Sequence, residues 1–158
     1  MLNHKKFSEI LSYVYTEEDL SRLLNELENL KASLDANNVD AVLKNKVRRK
    51  ISNVIKRHLQ DADLKNYLDS LMHLLSLMKE VRITLAFEPS QRFVEKLYDF
   101  FYEILKKQNY YLKIIVDPKI LGGIKLEYGG KYIDLTLKAK IDKEFKNKKE
   151  AILNLMKA

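Results

Sequence analysis

The chain has 158 residues, 46% of them hydrophobic, with a formal net charge of +7 and no cysteine. That length limits it to one domain or two small ones with a real core, and the apolar share excludes a disordered chain. Without cysteine there is no disulfide framework, no thiolate nucleophile and no cysteine-ligated zinc, and no apolar run approaches the roughly 20 residues of a membrane helix.

The opening, MLNHKKFSEI, lacks the apolar core of a signal peptide and reads as the start of an untargeted, intracellular, soluble chain. Over residues 3–15, Phe7, Ile10, Leu11 and Val14 fall at helical spacing and predict a short amphipathic helix. Thr16 followed by Glu17, Glu18 and Asp19 predicts a capped helix start, with acids at the positive end of the dipole. Leu20, Leu23, Leu24, Leu27, Leu30 and Leu34 then form one stripe, the pattern of a bundle core. Arg22, Asn25, Glu26, Glu28, Asn29 and Lys31 make the opposite, polar face.

Asp35 to Asn38 breaks the pattern, since Asn and Asp favour turns. A short piece, Val39 to Leu43, leads into an expected helix from about Lys44 to Leu59, with Val47, Ile51, Val54, Ile55 and Leu59 on one arc. Lys44, Lys46, Arg48, Arg49, Lys50, Lys56 and Arg57 have no acid among them. Lys46, Arg48, Arg49, Lys50 and Arg57 are the candidate basic patch. Three readings fit: a solvated face, a phosphate-contacting face as in nucleic-acid binders, or a seat for an acidic protein. No Asn/Gln or aromatic cluster joins the cations to read bases, although Tyr110, Tyr111 and Tyr132 are candidate stacking surfaces. After a second break at Gln60 to Asp63, where Asp61 or Asp63 can cap, comes a helix with Leu64, Tyr67, Leu68, Leu71, Leu74, Leu75 and Met78. His73 in it reads as a solvated residue, because nothing nucleophilic accompanies it. Through Lys79 the chain reads as four main helices and one short one.

At Glu80 the apolar period switches from 3.6 to 2: Val81, Ile83, Leu85 and Phe87 predict a strand. Pro89 ends it, and Ser90 caps a helix carrying Phe93, Val94, Leu97, Phe100, Phe101, Ile104 and Leu105, an arc fit to cover a sheet. Three further strands are expected, with Leu112, Ile114 and Val116, then Ile124, Leu126 and Tyr128, then Ile133, Leu135 and Leu137 each on one face. Asp117-Pro118 ends the first of these, and Gly129-Gly130 is a two-residue hairpin signal. A charged helix from about Asp142 closes the chain, with Phe145, Ile152, Leu153, Leu155 and Met156 as its apolar contacts. The fold class is therefore α+β: a helical bundle over 1–79, then a small α/β domain over 80–158 ordered β-α-β-β-β with a terminal helix.

No catalytic constellation is present. The three histidines are far apart, and neither a phosphate loop nor a Gly-x-Ser-x-Gly elbow occurs. Gly122-Gly123 alone is a weak phosphate signal and reads as a turn. Asp117 and Asp134 can be imagined as a metal pair, but Asp before Pro is an ordinary turn residue, and Asp134 shares strand parity with Tyr132 and Thr136. No enzyme activity, cofactor, metal or small-molecule substrate is expected.

VDPKILGGIKLEYGGKYIDLTLKAKI, at the C-terminal end, resembles the signature of the delta subunit of F-type ATP synthase, the family that includes the oligomycin sensitivity conferring protein. Asp117-Pro118, Gly122-Gly123, Ile124, Leu126, Gly129, Ile133-Asp134 and Lys138 fall on the pattern in register, Gly130 beside them, and the stretch from Val81 to Leu105 matches in length and polarity. Where the family has Gly-Ser after Ile-Asp, this chain has Leu135-Thr136, and the leucine predicts a turn regularised into strand. The helical region is shorter than the family's bundle by about one helix, and FSEILSYVY lacks the family's small-residue pattern. The resemblance implies a non-catalytic stator subunit at the cytoplasmic face of the bacterial inner membrane, held there through the synthase complex. Its partners would be the alpha subunit, whose N-terminal helix the bundle grips, and the b subunit of the peripheral stalk. The expected alpha-helix groove is Phe7, Ile10, Leu11 and Val14 with Leu68, Leu71 and Leu75. Nucleic acid is the alternative partner, through the basic helix.

Overall fold

The computed structural model describes residues 4–35, 38–58, 64–105 and 109–155, with side chains over 7–34, 38–57, 64–105 and 109–146. The chain forms two compact units: residues 1–79 with 105–111, and residues 80–104 with 112–158.

The first unit contains α1 (His4–Leu11), α2 (Glu17–Asp35), α3 (Val39–Asn45), α4 (Arg49–His58) and α5 (Leu64–Ser76). Thr16 starts α2 as its sequence predicts. The Asp19 amide donates to the Thr16 hydroxyl at 3.2 Å, and the Thr16 amide donates back to the Asp19 carboxylate at 3.2 Å. Two orphan amides at the helix start are thereby satisfied. α2 packs on α5 and α3, and α1 on α4. The leucine stripe is the core: Leu20, Leu23, Leu27 and Leu30 are buried with Ile10, Ile55, Leu68 and Leu71, while Leu24 and Leu34 pack partly buried against them. His73 is exposed.

The helix expected from Lys44 to Leu59 is instead broken. The Lys46 amide closes α3 on the Val42 carbonyl at 2.8 Å, and α4 starts at Arg49. Val42 and Val47 are both buried, and one continuous helix would set them about 140° apart. The break also corrects the polar face assigned to α2, because Glu26 is only 7% exposed and accepts from Arg48 Nε at 2.8 Å. The expected caps at Asp61 and Asp63 lie outside the described residues.

The second unit is built on a four-stranded sheet in the order β2-β1-β3-β4, from β1 (Lys79–Leu85), β2 (Tyr110–Val116), β3 (Ile124–Tyr128) and β4 (Lys131–Asp134). β1 and β2 run parallel: the Lys79 amide meets the Asn109 carbonyl at one end, and the Asp117 amide meets the Leu85 carbonyl at the other. β3 pairs antiparallel with both β1 and β4. Gly129 and Gly130, at φ 56° and 75°, make the two-residue turn between β3 and β4, which needs positive φ at both positions. α6 (Gln91–Ile104) crosses from β1 to β2, and its Phe93 amide donates to the Ser90 hydroxyl at 3.4 Å. The apolar arc expected of α6 is only partly used: Val94 and Phe101 are buried, but Phe100 and Ile104 are 57% and 56% exposed. Phe87 is not in β1. It lies beyond the strand's end, exposed, its ring 5.7 Å from that of Phe93.

The last strand is shorter than its alternation suggested. β4 ends at Asp134, and α7 (Leu137–Leu155) starts five residues before the expected Asp142. Asp134 Oδ1 accepts from the Thr136 amide at 2.9 Å, and the Thr136 hydroxyl accepts from the Ala139 amide at 3.2 Å. An Asp turn followed at once by a threonine cap stops the strand and starts the helix. Leu135-Thr136 is therefore a turn and not regularised strand. Of the expected α7 contacts, Phe145 is exposed, and the side chains of Ile152, Leu153, Leu155 and Met156 lie outside those described.

Candidate functional site

The residues expected to line an alpha-helix groove are brought together, but as core. Phe7, Ile10, Val14, Leu68, Leu71 and Leu75 are buried in one cluster, with Leu11 partly buried against it. The Phe7 and Tyr67 rings lie 5.2 Å apart within this region. An open groove lined by these seven is corrected accordingly, because helix-on-helix packing already covers six of them. Burial, with the Glu9 carboxylate adding to it, pushes the Tyr67 phenol up to about 12.

The candidate basic patch is largely occupied by the protein itself. Arg48 is turned inward onto Glu26, and Arg57 Nη2 donates to Glu9 Oε1 at 2.6 Å. The Lys50 ammonium sits 5.7 Å from the centre of the Tyr13 ring. Lys46 and Arg49 are exposed, Lys46 beside an open polar cleft that Glu17, Glu18, Arg22 and Glu26 also line. Sequence alone showed a run of cations without acids; folding supplies the acids from α1 and α2. The proposed stacking surface is also corrected. Tyr110 is fully buried and Tyr111 packs partly buried against the helical core, leaving only Tyr132 exposed at 61%.

In the second unit the motif residues shape two turns. Asp117 Oδ1 accepts from the Lys119 amide at 3.0 Å, which tightens the turn after β2 around the exposed Pro118. Gly122 and Gly123, both at positive φ, lie against the β4–α7 turn, where the Gly122 carbonyl accepts from the Leu137 amide at 3.2 Å. The Thr136 hydroxyl and amide, with Lys125 assisting, hold the Asp134 carboxyl below its ordinary range. This is a structural use of the acid. Among the described residues no group of three His, Asp or Glu is placed to hold a metal.

One face of the sheet is an ion ladder. Lys113 on β2 approaches Glu80 on β1 at 3.9 Å, Glu80 meets Arg82 at 2.7 Å, and Arg82 meets Glu127 on β3 at 2.9 Å. Glu127 first and Glu80 second push the Arg82 guanidinium further above its ordinary value. The opposite face is apolar, and its cover is uneven: Val81, Ile83 and Leu85 are fully buried, whereas Ile133 on β4 is 48% exposed. Leu121, Leu135, Leu137, Ile141 and Phe145 are further exposed apolar side chains of this unit. Contiguous exposed apolar surface of this kind is a common feature of protein-interaction sites.

The sequence missed the Glu26–Arg48 pair, the Thr136 cap and the exposed flank of α6. Only the cap had a local signal, an Asp two residues before a Thr at a strand end. Among the described residues no helix is long and apolar enough to cross a membrane.

No curated protein matches the sequence. The family model described as "ATP synthase delta (OSCP) subunit" matches residues 3–147, most of the chain and parts of both units. On that match, the chain is a member of the ATP synthase delta (OSCP) family, a structural subunit of the synthase's peripheral stalk.

Proposed function

We propose that this chain joins the catalytic head of an F-type ATP synthase to its b-subunit stalk and resists the torque of the rotor, with no chemistry of its own. The helical unit holds an amphipathic helix from the N-terminus of an alpha subunit, and the C-terminal unit holds the end of the b subunit. It works at the cytoplasmic face of the bacterial inner membrane, attached only through the complex. The observation that carries this reading is a family match spanning residues 3–147, supported by a leucine core closed enough to be stiff. Torque resistance requires packing of this kind, because close-packed interiors transmit strain instead of yielding to it. The alpha-subunit helix docks above the core floor at the α1 edge, where Leu11 stays partly exposed. Calorimetric titration of the full chain with a synthetic N-terminal peptide of the cognate alpha subunit tests the reading. Saturable one-to-one binding is expected, and no heat at high micromolar peptide would contradict it.

A further inference from the structure

Helix α7 carries an apolar stripe flanked by lysines, and we infer that in the free chain this stripe lies on an anionic lipid bilayer. Every side chain from Lys140 to Lys146 is exposed. At about 100° per residue that run passes almost twice round the axis, so no side of α7 is packed along it. Most helical stability in proteins comes from packing an amphipathic face, and here the face is present without the packing. Leu137, Ile141 and Phe145 follow one another at intervals of four and are 53%, 40% and 67% exposed. They share an arc of about 80°.

The charges around the stripe decide what covers it. Over Leu137–Leu155 six lysines stand against three acids. On the helical wheel Lys138 lies about 20° beyond Phe145, and Lys140 about 60° beyond Leu137 on the other side. A cation thus stands at each border of the stripe, while Lys143 and Lys146 lie on the far side. Glu144 shares the second border with Lys140 and Asp142 lies beyond the first, so the helix stays net positive. A second copy of α7 would bring like charges together, which is unfavourable beside a helix–helix seam.

With all sides of Lys140–Lys146 exposed, no groove wall flanks the stripe to seat a protein helix. A bilayer surface needs no groove. Apolar side chains sink to the acyl boundary, and lysines reach the headgroup phosphates along their aliphatic stems. Lysines on the polar face with Leu, Ile and Phe on the other, at low net hydrophobicity, are the composition of a helix lying in that plane. Anionic lipid adds attraction for each lysine near the surface, and salt screens it.

This inference goes beyond the connector role and does not rest on it. The test cosediments the full chain with sucrose-loaded vesicles of phosphatidylcholine, alone or mixed with phosphatidylglycerol. Binding to the mixed vesicles is expected to be roughly tenfold tighter or more, and to weaken as salt is raised. Phe145→Asp, and Lys138→Gln together with Lys140→Gln, should each weaken it roughly tenfold. Lys46→Gln with Arg49→Gln, exposed cations of the helical unit, should change it less than about twofold. All altered side chains are exposed, and far-UV circular dichroism checks the fold. Because the chain has no cysteine, Ile141→Cys carries a single nitrobenzoxadiazole dye, whose emission should shift to the blue on the mixed vesicles. A loss from the Lys46 and Arg49 changes equal to that from the α7 changes would mean attraction by bulk charge and overturn the inference. No cosedimentation would overturn it too. So would a dye shift given by soluble polyglutamate and absent with vesicles, which would assign the stripe to an acidic protein. None of these outcomes bears on the connector role.

Discussion

Gly123 is packed directly against Thr136: a Cβ added to the glycine would lie 2.8 Å from the Thr136 Cα, and closer still to the Leu135 carbonyl oxygen. The loop after β2 and the turn before α7 are therefore one joint. Both of its bonds are donated by the turn before α7, from the Leu137 amide to the Gly122 carbonyl and from the Leu135 amide to the Ile124 carbonyl at 2.9 Å.

This joint separates the two glycines of the pair. Gly122 also has positive φ, but open space surrounds its missing side chain. Gly122→Ala is expected to cost about 1–2 kcal/mol, the strain of a left-handed L-residue. Gly123→Ala adds a collision with backbone that cannot swing away, and roughly 3 kcal/mol or more is expected. Urea unfolding of the two variants measures the difference, and equal losses would contradict the close-packed joint.

The Asp134 carboxyl gives the same joint an acid limit. Its folded value lies below the ordinary 3.8, chiefly through Thr136. A carboxyl depressed in the fold contributes stability above its unfolded value and loses it as pH falls through the folded one. The melting temperature should thus fall below about pH 3.8, and Asp134→Asn should shrink that fall while lowering stability at pH 7. Thr136→Ala, which removes the cap, is expected to cost about 1 kcal/mol at neutral pH.

Tyr67 sets an alkaline limit in the helical unit. A phenol raised from 10.0 to about 12 keeps its proton in the fold while the unfolded chain releases it. Its stabilisation is complete below pH 10 and is lost as pH rises toward 12. Tyr67→Phe should flatten the decline in stability over that interval, and ultraviolet titration should show one fewer late-ionising tyrosine.

Arg48→Met would leave Glu26 buried without its cation. The expected loss is about 2 kcal/mol, below the usual cost of stranding a buried charge because Arg48 is itself part-exposed. Adding Glu26→Met should recover most of it, which chemical denaturation of both variants would show.

Periodicity made the leucine stripe of α2, the Thr16 and Ser90 caps and the glycine hairpin legible, because each is a local rule with one solution. Features that depend on distant partners were not legible. Glu26 sits among polar residues in sequence, and only the turn after α3 brings Arg48 to it. Alternation carried the last strand on to Leu137, since a period of two cannot report that Thr136 caps a helix. The groove residues were correctly grouped as apolar, yet spacing does not tell a closed core from an open groove; Ile10 at 0% exposure makes that distinction. The uncovered face of the sheet was hidden for the same reason, as an apolar arc on α6 reads alike whether one flank or all of it is covered.

In the proposed role the chain couples two assemblies mechanically. Sedimentation velocity of the cognate catalytic head with the soluble part of the stalk, with and without this chain, tests it most directly. One boundary containing head, stalk and a single copy of the chain is expected, and separate boundaries when the chain is left out. Head and stalk that remain separate in its presence would rule out the coupling role.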